Sequence, residues 1–434
     1  MKKFAAIGTI ILIHFNVFAN ETDLSKIQQS CLEIHQSWLA LDLDLTKNTP
    51  GYSAPVAARS FLYITIAMTE ASCGLIPSYN GYSGTLNEFD IPEIKLNHKA
   101  SYEHIANYVN YKIALFYFSN TAPFEIEKIE KKFNQIKKTY NKNYSKIRIK
   151  RSENFANCIV EAIINWSNLD EAQNCWLKNF PADYEIKYCD SCWVKTFPGF
   201  VGALQPYWGQ NRLSVKSNED ICNDIPYIPF SSEPKSDFYN EANEMNKVFE
   251  KFSKSQINTA KYWNDAPGVS GTPAGHLFAI ALDLSKLYKT NLEVSLKLFS
   301  SLGIALNDAV IECWKLKYDF NLIRPVTYIH RYISEDFTTS IITPPFPEFP
   351  SGHSFQAGAG TEVLKHFFGD TLVFTDYTNQ SRVDLDGAPR TYNTFSEMSE
   401  EMSISRFYGG IHYMSTLKVS LMYGRKIGIN SILH

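Results

Sequence analysis

After the N-terminus, the sequence has no apolar run that reads as long enough to cross a membrane, a length of about 20 residues. It also has no alternating apolar–polar stretch of useful length, which argues against sheet-based folds. It shows no internal repeat and no low-complexity tract, which argues against solenoids and fibrous arrays. Positive charge is not in excess, since 42 Lys and Arg face 45 Asp and Glu for a net charge of −3, so no electrostatic footprint for nucleic acid is present. Hydrophobic residues are not scarce, and 44% of the chain with 14% aromatics supplies an ample core. At 434 residues the chain is long enough for one large domain or two ordinary ones.

The first residues read as an export signal: Lys2 and Lys3, the apolar run from Phe4 to Val17, then Val17-Phe18-Ala19 with cleavage expected after Ala19. An uncleaved anchor is the alternative, but the run is short for a span. Cleavage shifts the net charge to −5 and leaves an exported protein, periplasmic or secreted, without a stable membrane span. In that compartment eight cysteines suggest disulfides, and four of them (Cys175, Cys189, Cys192 and Cys222) fall in a loop-rich stretch that cysteine staples would order. A redox pair or half a zinc site are the competing readings of Cys189-Asp190-Ser191-Cys192.

Apolar residues recur at helical spacing in Ile126, Ile129, Phe133, Ile136 and Tyr140, and again from Phe155 to Trp166. The lysines between Lys128 and Arg151 alternate with these positions and read as a solvated helix face. Between about 170 and 240 the composition turns to Pro, Gly, Asn, Asp and Ser, and helical periodicity resumes near Phe238. The expected class is all-α, with two packed helical bundles: residues 20–240 including the 170–240 connection, then 241–434.

Three clusters in the C-terminal half carry groups suited to one anionic site. Lys317 and Arg324 lie seven apart, about two helical turns, and Pro325 ends the helix at or before Arg324. The stretch from Pro344 to Pro350 holds four prolines in seven residues, so the backbone stays extended until a helix opens at Ser351-Gly352-His353, with Ser351 as N-cap and Gly369 as stop. Thr394 and Glu397 offer a capping box for a helix carrying Ser405-Arg406, which Gly409 and Gly410 should end just before His412. Arginine forks match tetrahedral oxyanions, lysine adds a point charge, and serine hydroxyls and first-turn N–H groups add short donors.

In this order and at these spacings, Lys317 to Pro325, Pro350 to His353 and Ser405 to His412 resemble the superfamily uniting type 2 phosphatidic acid phosphatases (PAP2), bacterial nonspecific acid phosphatases and vanadium-dependent haloperoxidases. Trp314 ahead of Lys317, the Pro344-Pro345-Phe346-Pro347 lead-in and the Trp263-Asn264-Asp265 segment resemble the haloperoxidase branch in particular.

By that resemblance, Lys317, Arg324, Ser351, Gly352 and Arg406 would hold vanadate oxygens, and His412 would be the direct protein ligand. His353 would be the acid–base residue and Asp265 would orient Arg406. Phe346 stands where chloroperoxidases have Phe and bromoperoxidases often have His. The implied activity is oxidation of halide by hydrogen peroxide, with small-molecule substrates, no nucleic acid, and a homo-oligomer neither required nor excluded.

The alternative in the same pocket is a metal-independent acid phosphatase, needing no cofactor, with His412 as nucleophile. A third reading is an inactive oxyanion-binding homologue. One departure separates this chain from the family pattern: the acidic residue four positions after the final histidine is here Thr416.

Overall fold

The computed structural model describes residues 21–77, 79–92 and 100–433. The export signal lies outside the described residues. The first half forms five helices: α1 (Glu21–Asn48), α2 (Ala54–Ser72), α3 (Tyr102–Tyr117), α4 (Pro123–Tyr140) and α5 (Lys146–Ser167). The second half forms eight: α6 (Asp237–Phe249), α7 (Lys254–Tyr262), α8 (Thr272–Leu287), α9 (Leu292–Phe320), α10 (Pro325–Tyr332), α11 (Gly352–Phe368), α12 (Phe395–Tyr408) and α13 (Met414–Asn430). Among the described residues the one sheet is a two-stranded ribbon, β1 (Phe374–Asp376) antiparallel to β2 (Arg390–Tyr392). The protein is all-α, as its periodicity predicts.

Two bundles result. In the first, α3 packs against α1, α2, α4 and α5; in the second, α11 packs against α8, α9, α12 and α13. They meet along α2 and α9, both largely apolar and mostly buried, as helices with a wide apolar surface must be. One hydrophobic core runs through both. The sequence reading that no later stretch could span a membrane needs correction, because α9 passes by length and composition; its apolar surface is instead covered by protein. The lysines of α4 and α5 lie mostly toward solvent, leaving Ile129, Ile159 and Ile163 inside.

The connection between the halves is ordered without long-range cysteine staples. Among the described residues the one disulfide joins Cys189 to Cys192, while Cys175 and Cys222 are free and buried. That pairing removes the zinc reading of this motif, and no group of metal-binding side chains occurs among the described residues. Hydrogen bonds hold the connection instead. The buried Asp308 carboxylate accepts from the Ser214 and Val215 N–H groups at 2.8 and 3.1 Å and from Asn218 Nδ2 at 2.9 Å. The disulfide loop lies along the chain entering Arg324, with Trp193 N donating to Asn321 O and Ile323 N to Ser191 O, both at 2.8 Å.

The crossing of α11 and α13 sets the position of the site. Gly424 faces the Phe355 main chain and Gly428 the Ala359 main chain so closely that an added Cβ would lie 2.9 Å from the opposing Cα in both cases. This backbone-to-backbone contact brings the start of α11, with Ser351 and His353, beside the start of α13, with His412. Gly424→Ala is therefore expected to destabilise the fold by about 1–3 kcal/mol through overpacking. A melting temperature unchanged from wild type would contradict that.

Candidate active site

Lys317 sits in the last turn of α9, fully buried. Its Nζ donates to the carbonyls of Pro347 (2.9 Å), Glu348 (3.1 Å) and Pro350, so the three ammonium protons are engaged in folding the proline-rich stretch. Burial, reinforced by neighbouring Arg324, lowers it to about 7.

Arg324 reaches the same place by another route than the sequence suggests. Asn321, in the left-handed conformation, caps α9 after Phe320, so Arg324 does not share a helix face with Lys317 and instead precedes Pro325 as the N-cap of α10. Its Nε donates to Phe346 O at 2.8 Å and its Nη1 to Ile411 O at 2.9 Å, with His412 Nε2 at 3.2 Å from Nη1. Its Nη2 is buried with no protein partner. Phe346 lies under both cations, its ring centre 4.9 Å from Lys317 Nζ and 4.9 Å from Arg324 Cζ, and 5.1 Å from the Trp314 ring.

Ser351 caps α11 as expected, accepting from Ser354 N. Gly352 begins the helix, where a Cβ would come within 3.1 Å of the Trp314 ring; this close fit accounts for both residues. His353, on the first turn, has a buried Nε2 without a partner. Burial, with repulsion from Arg406 and Lys317, holds it neutral down to about 3, against the attraction of Asp265.

His412 follows the Gly409-Gly410 turn that ends α12. Its Nδ1 lies 2.8 Å from Glu348 Oε1. Arginine has no acceptor, so the Arg324 contact requires a lone pair on His412 Nε2, which assigns the ring proton to Nδ1. Burial, with repulsion from the Arg324, Lys317 and Arg406 cations, keeps His412 neutral. Thr416, at the position of the family's acid, donates to Glu348 Oε2 at 3.0 Å. Tyr413 N donates to Oε1 at 3.1 Å. Glu348 is fully buried, and burial raises it to about 7 even though Arg324 and Lys317 favour its charge.

Asp265 takes a different partner from the one the resemblance implies. Both of its oxygens face His276 Nδ1, at 3.0 and 3.2 Å, and His276 Nε2 contacts Asp376 Oδ2 at 2.8 Å. Arg406 is held by Ser405 Oγ (3.0 Å from Nε) and Ala260 O (2.8 Å from Nη2), with Asp265 acting on it as a nearby charge. Burial disfavours a charged His276, but the two flanking carboxylates outweigh it and raise the ring to about 10. It is thus a buried cation between two anions, stacked on Trp263 with centroids 4.6 Å apart.

Asp265, His353 and Arg406 line a cleft of about 410 Å³ whose other walls are largely apolar, among them Tyr52, Phe180, Leu204, Pro344 and Phe346; Lys317, Arg324, Ser351 and His412 lie outside its lining. Sequence reasoning missed Glu348, His276 and Asp376. Glu348 alone had a signal, as an unpaired acid inside the motif it serves.

Comparison with known proteins agrees with this architecture. The description "VCPO second helical-bundle domain" matches residues 297–341 and 333–434. The vanadium chloroperoxidase of Curvularia inaequalis is 28% identical over 38% of this chain, a match spanning 36% of that protein's length. A solved bacterial vanadium-dependent iodoperoxidase superposes with a TM-score of 0.80 and 28% identity, covering 92% of this chain and 96% of its own. A bacterial vanadium-dependent chloroperoxidase in its holo form shares the fold, with a TM-score of 0.65 at 14% identity over 88% of this chain and 92% of its own. In its second half by sequence, and over most of its length by fold, the chain is similar to the vanadium-dependent haloperoxidases.

Proposed function

We propose that this protein is a vanadate-dependent haloperoxidase that oxidises a halide with hydrogen peroxide. The observation that carries the reading is a buried donor without a protein partner, Arg324 Nη2, on the guanidinium that contacts the unprotonated His412 Nε2, together with the unpartnered ring nitrogen His353 Nε2. Buried polar atoms left unpaired are costly, by about 1–3 kcal/mol each, so an open donor and an open ring nitrogen argue for a partly protonated oxyanion that accepts from the one and donates to the other.

The residues fit a tetrahedral oxyanion. Arg324, Arg406, Ser351 and the Gly352 N–H would hold vanadate oxygens, Lys317 would add charge from behind the proline-rich stretch, and His412 Nε2 would be the ligand. Bound vanadate would supply the Lewis-acidic centre that activates peroxide. His353, neutral at physiological pH, is placed to accept a proton at Nε2. Burial of Lys317, Arg324, Arg406 and His412 away from water strengthens their electrostatic effect.

The full chain loaded with orthovanadate should oxidise at least one of chloride, bromide and iodide in a peroxide-dependent way. Hydrolysis of a phosphate ester, measured in parallel without vanadate, should be weak by comparison. Ester hydrolysis with no halide oxidation would overturn the proposal in favour of a phosphatase using His412 as nucleophile. Neither activity would leave an inactive oxyanion-binding homologue.

A further inference from the structure

We propose that Glu348, carried by the proline-rich stretch ahead of α11, is the positioning residue for His412: it fixes the ring proton on Nδ1 and so presents the Nε2 lone pair to a bound oxyanion. The inference deepens the proposed function and rests on it for the identity of that oxyanion.

Three observations carry it. First, the contact is direct, 2.8 Å from Glu348 Oε1 to His412 Nδ1, and both side chains are buried, so water does not compete for it. Second, the carboxylate is held in place from every side. Oε1 also accepts from Tyr413 N and Oε2 from Thr416 Oγ1, while the Glu348 main chain is fixed by Leu322 O (2.8 Å) and Lys317 Nζ. A rigid acceptor of this kind orients an imidazole and raises its strength as a ligand, a role whose loss typically weakens binding about 10- to 100-fold. Third, Thr416 is not idle. Its hydroxyl donates to the oxygen of Glu348 that does not face the histidine, so residue 416 supports the carboxylate that residue 348 supplies. An acid at 416 would put a second anion against Glu348 Oε2, and the two positions are therefore coupled, one acid between them.

This coupling gives a test that a merely structural role would not pass. Orthovanadate affinity is measured by calorimetry on the full chain and four variants, and the His412 tautomer is read from its imidazole nitrogen shifts without added vanadate. Glu348→Ala should weaken orthovanadate binding about 10- to 100-fold and redistribute the ring proton. Glu348→Gln, which keeps an acceptor but loses the charge, should fall between Ala and wild type. Thr416→Asp alone should also weaken binding, whereas Glu348→Ala combined with Thr416→Asp should recover affinity and the Nδ1 tautomer.

If Glu348→Ala does not fold, the Gln variant and the double variant still decide the matter. Wild-type affinity in Glu348→Gln and Glu348→Ala, or a folded double variant with no recovery over Glu348→Ala, would overturn the proposal. Absence of orthovanadate binding in wild type would count against the proposed function, while the tautomer measurement would still test Glu348 by itself.

Discussion

Replacing His412 with alanine should abolish halide oxidation and reduce orthovanadate affinity by more than about 100-fold, the upper end of what loss of a supporting group alone produces. The effect should be this large because, among the described residues, His412 Nε2 is the one ring nitrogen that contacts the Arg324 guanidinium. Arg324, Arg406 and Lys317 are donors without acceptor capacity, and His353 belongs to the start of a different helix. The substitution removes a buried ring next to the N-terminus of α13 but no main-chain hydrogen bond of that helix, so circular dichroism should report a folded protein. A folded His412→Ala variant that retained halide oxidation within tenfold of wild type would mean that the site has been misplaced.

The second large effect should fall on stability. Removing the ring in His276→Ala leaves Asp265 and Asp376 buried without the cation between them, a loss of about 3–5 kcal/mol. The pH dependence follows from the direction of each shift. The folded-state value of His276 is raised to about 10, so its contribution is full below its unfolded value near 6.5 and fades as pH climbs through about 10. Burial works against both carboxylates, but the His276 charge holds each below the usual range. Their contribution is therefore full above about 4 and fades as pH falls through the depressed values. Urea unfolding across pH should show the gap between wild type and His276→Ala at its widest from about pH 4 to 6.5 and narrower toward pH 10. A gap that is flat across this whole range would remove the buried cation from the account.

Much of this was legible in sequence, for a physical reason. Helix signals are local, so Ser351, Gly369 and Thr394 announce the ends of α11 and the start of α12 wherever the helices go. Spacing likewise exposed Lys317, Arg324, His353, Arg406 and His412. What spacing could not show was partnership. The same-face argument for Lys317 and Arg324 failed because one left-handed residue, Asn321, ends the helix between them. Asp376 meets His276 from a three-residue strand a hundred positions away, and no periodicity marks such a pairing. The missing acid at 416 looked like a defect only while position 348 was read as part of a proline-rich lead-in. The cysteine-rich connection misled in the opposite direction, since buried main-chain hydrogen bonds to Asp308 supply the order that disulfides were expected to give.

The glycine-lined crossing of α11 and α13 also bears on how the chain divides its tasks. Because the two helices touch through their main chains, α11, which carries His353, and α13, which His412 precedes by two residues, form one close-packed pair. Much of the cleft's apolar lining is supplied elsewhere, since Tyr52, Phe180 and Leu204 come from the first bundle and the connection and carry none of the motif chemistry. The motif residues and much of the apolar lining thus belong to separate parts of the chain, where substitutions far apart act nearly independently.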